Sequence, residues 1–137
     1  MSVKRSESGW PAHFIWGDRC VFHRATILDR GDVQLIVSTV GAMRPTQQPN
    51  WSPSRDGYEE IGCQRHYETM AFHLSRQSCG CPGSDVLNEI SFASKWSMKH
   101  DDDSHDADAM HEAVVIEIMS RLATGESFAK ATAESEA

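Results

Sequence analysis

Alternating apolar and polar positions divide the first part of the chain into predicted strands. Residues 21–28 alternate between two faces, and residues 33–40 alternate with apolar side chains on both faces. Two apolar faces are typical of a strand buried inside a sheet. The four residues between these segments include Gly31 and are typical of a hairpin connection. We therefore expect an antiparallel pair whose second strand is central.

Two further strands and one helix follow in the same pattern. Residues 67–74 alternate again, and residues 86–96 form a fourth predicted strand. Apolar residues then recur at intervals of three and four, which predicts a helix over 106–122 with Gly125 just beyond its end. Its apolar stripe consists of Ala107, Met110, Val114, Ile118 and Leu122, widened by Val115 and Met119. The predicted fold is α+β, an antiparallel sheet of about four strands with one C-terminal helix packed on a face.

The segments outside this pattern set the predicted domain boundaries. Residues 1–19 are expected to be a flexible N-terminal segment, 20–125 a single α+β domain, and 126–137 a polar C-terminal tail. Residues 41–62 contain three prolines and no regular period, which predicts either disorder or a functional loop. Trp51 and Tyr58 lie in this loop, where they would either cover the core or anchor a partner.

Composition places the chain among single-domain globular proteins. It has 137 residues, of which 39% are hydrophobic and 24% charged. It contains no apolar run long enough to cross a membrane and no apolar segment after its positive start that would make a secretory signal. We therefore expect a cytoplasmic protein that does not enter a membrane.

The negative charge is concentrated at the C-terminal end. The net charge is −7, and residues 101–137 hold ten acidic residues against Arg121 and Lys130. Such a segment does not suit direct nucleic-acid binding, which requires Lys and Arg at the phosphates. The acids either keep the helix and tail solvated or dock on a basic partner surface. The residues predicted to bind a partner are Trp51, Tyr58, Asp101, Asp102, Asp103, Asp106, Asp108 and Glu112.

A metal site is the alternative suggested by the cysteines and histidines. Cys63 and His66 have a spacing suited to zinc, and Cys79 and Cys81 would complete four ligands, although one intervening residue departs from the usual spacing. The simpler interpretation is two loop cysteines, one cysteine at the edge of the core and an exposed histidine, with no cofactor bound. The aspartate run at 101–108 lacks the central glycine and final glutamate of a calcium loop. No nucleophile elbow or phosphate-binding glycine loop is present, so we expect no enzymatic activity.

Three short motifs carry a resemblance to a known group of proteins. They are Ser38-Thr39-Val40, then Glu68-Thr69-Met70 with Phe72, then His111 three residues before Val114-Val115. In this order they resemble a group of small uncharacterised proteins from tailed phages and prophages. The resemblance covers residues 33–122. It departs at Gly41-Ala42-Met43, where members of that group often carry an aromatic residue and an Asp-His pair.

The motif residues also have a structural interpretation. Val37, Met70, Phe72, Val114 and Val115 are expected to form the core between the sheet and the helix.

The resemblance implies a phage-encoded accessory protein with no catalytic role to transfer. We expect it to bind a host protein or ribonucleoprotein complex through its acidic surface, for example as an inhibitor of a CRISPR nuclease complex. The alternatives are a small zinc-binding protein or metal-dependent enzyme using Cys63, His66, Cys79 and Cys81, and a minor virion component.

Overall fold

The described part of the chain is an antiparallel sheet with one long helix. The computed structural model describes residues 2–8, 20–43, 66–76, 82–97 and 104–128. These residues form strands β1 (Lys4–Ser8), β2 (Cys20–Asp29), β3 (Gln34–Met43), β4 (Tyr67–Arg76), β5 (Pro82–Glu89) and β6 (Lys95–Ser97), a 3₁₀ turn (Ser91–Ala93) and helix α1 (Ser104–Ala123). The predicted α+β class, with a C-terminal helix on the sheet, is confirmed.

The strands lie side by side in nearly the order of the sequence. The sheet runs β1-β2-β3-β4-β5, and β6 pairs with the other end of β4. β2 and β3 form the predicted hairpin, in which Gly31 adopts a φ of 106° and its N–H donates to Asp29 at 2.7 Å. β3 is fully buried from Leu35 to Val40, so it is the central strand that its two apolar faces predict.

Helix α1 crosses β2, β3 and β4 on one face of the sheet. Its apolar stripe packs on Leu28, Leu35, Val37 and Ala71, and the buried helix residues are Val114, Val115, Ile118 and Leu122. Ala107 is also buried, and Met110 and Met119 are partly buried against their neighbours. The predicted stripe is therefore the helix surface that meets the sheet.

The strand register corrects part of the predicted core. Ala71 pairs with Val37 and faces α1, so its neighbours Met70 and Phe72 must face the other way. Phe72 packs there with Ala25 and Ile36, and Met70 lies beside them. The prediction that Met70 and Phe72 belong to the sheet–helix core is wrong, because side chains alternate along a strand.

Three element boundaries differ from the sequence interpretation. Lys4–Ser8 form strand β1 within the segment expected to be flexible. The predicted fourth strand is divided: β5 begins at Pro82, the register with β4 shifts between Phe72 and His73, and a 3₁₀ turn separates β5 from β6. Helix α1 ends at Ala123, with Gly125 just beyond it as expected, but the chain stays packed through Phe128, which lies against the core.

Candidate functional site

The first half of α1 rests on polar side chains of the sheet. His111 is fully buried between Thr26 on β2 and Thr39 on β3, with its Nε2 2.7 Å from the Thr26 hydroxyl and its Nδ1 2.7 Å from the Thr39 hydroxyl. The Thr39 hydroxyl lies 2.6 Å from that of Thr69 on β4. The Thr26 hydroxyl donates to Glu7 on β1 at 2.6 Å. We call these five residues the His111 chain.

The hydrogen bonds of the His111 chain have one consistent direction. A carboxylate only accepts hydrogen bonds, so the Thr26 hydroxyl donates its single proton to Glu7. The same hydroxyl must then accept the hydrogen bond from His111 Nε2–H. A neutral imidazole then has Nδ1 as an acceptor, which receives the Thr39 hydroxyl proton. Thr69 in turn donates to Thr39. Every proton in this arrangement has an acceptor, and His111 is the neutral Nε2–H tautomer.

The surroundings of His111 favour its neutral form. Burial removes water from the ring and, together with the positive charge of Arg24, lowers the pKa of His111 to about 4. Glu7, Asp108 and Glu112 act in the opposite direction but do not offset the burial. His111 is therefore uncharged at neutral pH. Since it has no access to solvent, it orients the helix on the sheet and is not placed to meet a substrate.

Two arginines join the first half of α1 to β1 and β2. Arg24 contacts Glu7 at 2.6 Å, Asp108 at 2.8 Å and Glu112 at 2.5 Å. Arg5 binds both carboxylate oxygens of Glu112, at 2.8 and 3.0 Å. We call these five residues the arginine cluster. Because three carboxylates meet two guanidinium groups, the cluster keeps one net negative charge.

The arginine cluster holds Glu7 and Glu112 ionised. The hydrogen bond from Arg5, supported by Arg24, lowers the pKa of Glu112 to about 2. Partial burial of Glu7 opposes ionisation, but hydrogen bonds from Thr26 and Arg24 outweigh it and lower the pKa of this carboxyl. Glu7 and Glu112 thus remain charged throughout the ordinary pH range.

The structure places only some of the predicted partner-binding residues. Asp106, Asp108 and Glu112 lie on α1, where Asp108 and Glu112 are engaged by the arginines while the Asp108 side chain stays 53% exposed. Trp51, Tyr58 and Asp101, Asp102 and Asp103 lie outside the described residues. Partner binding by these side chains stays a prediction.

The proposed zinc ligands are also largely outside the described part of the chain. His66 is half-buried beside the first residue of β4, and Cys63, Cys79 and Cys81 fall in ranges that the structure does not describe. Within the described ranges, no group of three His, Cys, Asp or Glu side chains could hold a metal ion. Zinc binding stays a prediction.

The outer side of α1 presents an apolar surface. Ile116 is 62% exposed and is the one large hydrophobic side chain found exposed among the described residues. Ala109, Ala113 and Ser120 are exposed on the same side of the helix. An open groove of about 500 Å³ meets this side of the helix at Ala113 and is also lined by Ser94, Lys95, Met110, Val114 and Glu117. We call Ile116 and this groove the outer helix surface.

The sequence interpretation missed the His111 chain and the arginine cluster. One signal was available, because His111 follows Ala107 by four residues and precedes Val115 by four, which places it on the apolar stripe. A polar residue on such a stripe needs buried partners. Its partners Thr26, Thr39 and Thr69 come from three strands, and only the strand register brings them together.

Gly41 marks a close approach between β3 and β4. It lies opposite Tyr67, and a Cβ at this position would come within 2.3 Å of the Tyr67 ring and 2.4 Å of the His66 carbonyl oxygen. The backbone of β3 therefore approaches β4 too closely here for any side chain.

The fold and the site together define a small α+β domain whose helix is fixed by a buried histidine. Comparisons with models of protein families, with curated proteins and with solved structures find no match for the chain. Among the described residues, no helix combines the length and apolar character needed to cross a membrane.

Proposed function

We propose that this chain is a phage- or prophage-encoded accessory protein that binds a host protein in the cytoplasm and inhibits a host-defence complex of the CRISPR type. The ordered motifs of the sequence support the phage origin. The acidic C-terminal part of the chain supports a partner with a basic surface, such as a protein that handles nucleic acid. In this proposal the protein acts by binding and not by catalysis.

The observation that carries the proposal is the outer helix surface. An exposed Ile116 beside an open groove with apolar lining from Met110 and Val114 is the type of surface that becomes buried against a protein partner. Burial of apolar surface would supply most of the binding free energy, because exposed ion pairs contribute little to affinity.

The charge around this surface favours a basic partner. Lys95 and Glu117 both line the groove and offset each other, whereas Asp108 and Glu112 belong to the arginine cluster, which keeps a net negative charge at the start of the same helix. Negative charge near an apolar contact speeds the approach of a positive surface and makes the association rate sensitive to salt. The proposed complex therefore combines electrostatic steering with an apolar anchor.

Affinity purification with matched variants tests this proposal. The wild-type protein, Ile116→Asp and Ser6→Asp are used to capture proteins from a lysate of the host, and the captured proteins are identified by mass spectrometry. Ser6 is exposed on β1, so Ser6→Asp adds the same charge away from the outer helix surface. We expect one stoichiometric partner with the wild type and with Ser6→Asp, and its loss with Ile116→Asp.

The captured partner must then be purified and its activity measured. The proposal expects a nucleic-acid-binding defence complex whose nuclease or target-binding activity falls when wild-type protein is added and is retained when Ile116→Asp is added. The absence of any stoichiometric partner at low as well as physiological salt would contradict the proposal. A partner retained by Ile116→Asp would place the interface elsewhere.

A further inference from the structure

Helix α1 rests on two different surfaces of the same sheet. Its second half packs on the apolar core through Val114, Val115, Ile118 and Leu122. Its first half packs Ala107 and Met110 on the smaller apolar cluster around Tyr67, and it also places the titratable His111 on the hydroxyls of Thr26 and Thr39. Apolar burial resists opening at any pH, whereas contact with a neutral buried imidazole depends on its protonation. The two halves of the helix therefore differ in how they respond to acid.

Strand β1 depends on the same polar contacts. All five of its residues are polar, and four of them are exposed. Besides the backbone pairing with β2 and the packing of the preceding Val3 on the core, Arg5 binds Glu112 and Glu7 binds both Arg24 and Thr26. Glu7 is also the final acceptor of the His111 chain. Movement of the first half of α1 would consequently remove contacts that hold β1.

We propose that β1 and the first half of α1 form an acid-opened gate, which separates from the rest of the sheet more often at pH 5 than at pH 7 while the second half of α1 stays packed. A proton on His111 in the closed state would create a buried imidazolium near the Arg24 guanidinium. Opening the gate gives this charge access to water. The inference concerns regulation of the fold and does not depend on the proposed function.

The charged groups that face His111 decide the direction of this effect. Arg24 on β2 disfavours the imidazolium, whereas Glu7 on β1 and Asp108 and Glu112 on α1 favour it. These three carboxylates are already bound to guanidinium groups at 2.5–2.8 Å. The arginines therefore offset most of their negative charge, and desolvation of the ring has the largest effect on the pKa of His111.

The linkage between proton binding and opening gives the expected change in the population of the open gate. The closed state holds the pKa of His111 at about 4, and exposure to water returns it toward 6.5. Between these values the open state binds a proton that the closed state does not, so acid favours opening. Lowering the pH from 7 to 5 should raise the population of the open gate about twentyfold.

Hydrogen–deuterium exchange of the whole protein tests the gate. Exchange is followed at pH 7, 6 and 5 and corrected for the intrinsic pH dependence of amide exchange. We expect peptides covering β1 and residues 104–112 to exchange about twentyfold faster at pH 5 than at pH 7. Peptides covering Val114–Leu122 and strand β3, which pairs with β2 and β4 and not with β1, should keep their protection.

Two variants separate the role of His111 from that of histidine in general. His111→Gln keeps a donor and an acceptor but cannot take up a proton in this range, so its gate exchange should no longer depend on pH. His23 is exposed on β2. His23→Gln should therefore behave like the wild type. The wild-type profile is informative even if His111→Gln fails to fold.

The possible outcomes are distinct. The proposal is supported if peptides from β1 and residues 104–112 lose protection in acid before the second half of α1 does. It also requires that His111→Gln abolish this response. It is overturned by equal loss of protection along the whole helix, by protection at the gate that does not change between pH 7 and 5, or by an unchanged acid response in His111→Gln.

Discussion

His111 is the residue on which the position of the helix depends most. It is fully buried and uses both ring nitrogens to join β2 and β3 to α1. A buried donor or acceptor that loses its partner costs about 1–3 kcal/mol. The hydrogen bonds of His111 therefore fix the position of α1 on the sheet. An apolar residue of similar size would pack there without fixing that position.

Replacement of Thr39 tests this role at a single side chain. In Thr39→Val the hydroxyl that donates to His111 Nδ1 is lost, and the ring nitrogen remains buried without a donor. We expect the free energy of unfolding to fall by about 1–3 kcal/mol, measured by urea denaturation. Thr39→Ser keeps the hydroxyl and should lose less than half of that amount. Equal losses in the two variants would show that packing of the methyl group matters and the hydrogen bond does not.

Residue patterns along the sequence could predict which side chains are buried but not which polar groups meet. Ile118 and Leu122 repeat with the period of the helix, so their burial follows from the sequence alone. Arg24 and Glu112 are 88 positions apart, and no local pattern links them. Their contact depends on the angle at which α1 crosses the sheet, which the packing of the whole interface determines.

The helix is held firmly at its C-terminal end. Gly125 adopts a φ of 103°, and the N–H groups of Gly125 and Glu126 donate to the carbonyls of Leu122 and Arg121 at 3.0 and 3.1 Å. This is the Schellman arrangement that a glycine beyond a helix end permits. Arg30, from the β2–β3 turn, donates to the Leu122 and Glu126 carbonyls at 2.8 Å. The role of Gly125 could be predicted from its place just after the apolar stripe. The contact of Arg30 could not, because Arg30 belongs to a hairpin far away in the sequence.

The segment after the helix belongs to the packed domain. The Phe128 ring stacks on Phe92 with their centroids 5.8 Å apart, and the Arg121 guanidinium lies 3.9 Å from the centre of the Phe92 ring. The Phe128 carbonyl is also hydrogen-bonded to the His73 ring. A sequence interpretation based on polarity ends the domain before this point, because one aromatic residue in a polar tail gives no periodic signal.

Removal of the Phe128 ring should therefore destabilise the domain. We expect Phe128→Ala to lower the free energy of unfolding by about 1–2 kcal/mol, since a half-buried aromatic ring and its stacking are lost. Ser127→Ala changes an exposed neighbour and should have an effect below about 0.5 kcal/mol. Urea denaturation of both variants measures the difference. If Phe128→Ala matched the wild type, the segment would contribute nothing to stability.

At the scale of the whole molecule, stability should depend on pH in two windows. His111 has a folded-state pKa of about 4, below its ordinary 6.5, so the unfolded chain gains a proton first as the pH falls. Its contribution to stability is complete above pH 6.5 and is lost between 6.5 and about 4, amounting to about 3 kcal/mol. Glu112, with a pKa of about 2 in the folded state, contributes stability above its ordinary 4.5 that is lost below that pH.

Denaturation curves measured in small pH steps separate these windows. His111→Gln should remove most of the loss between pH 6.5 and 4 and leave the loss below 4.5 in place. Glu112→Gln should reduce the second loss and retain the first. A wild-type stability that stays constant between pH 6.5 and 4.5 would contradict a neutral, buried His111.

The central claim is that a neutral His111 joins the helix to the sheet through a chain of hydroxyls, and nitrogen NMR of its imidazole tests this most directly. Long-range ¹H–¹⁵N correlation spectra of uniformly labelled protein, with His111→Gln for assignment, report which ring nitrogen carries the proton. We predict a protonated Nε2 and an unprotonated Nδ1 that keep these states from pH 7 to pH 5.5. Two nitrogens with averaged shifts that titrate near pH 6.5 would contradict the claim.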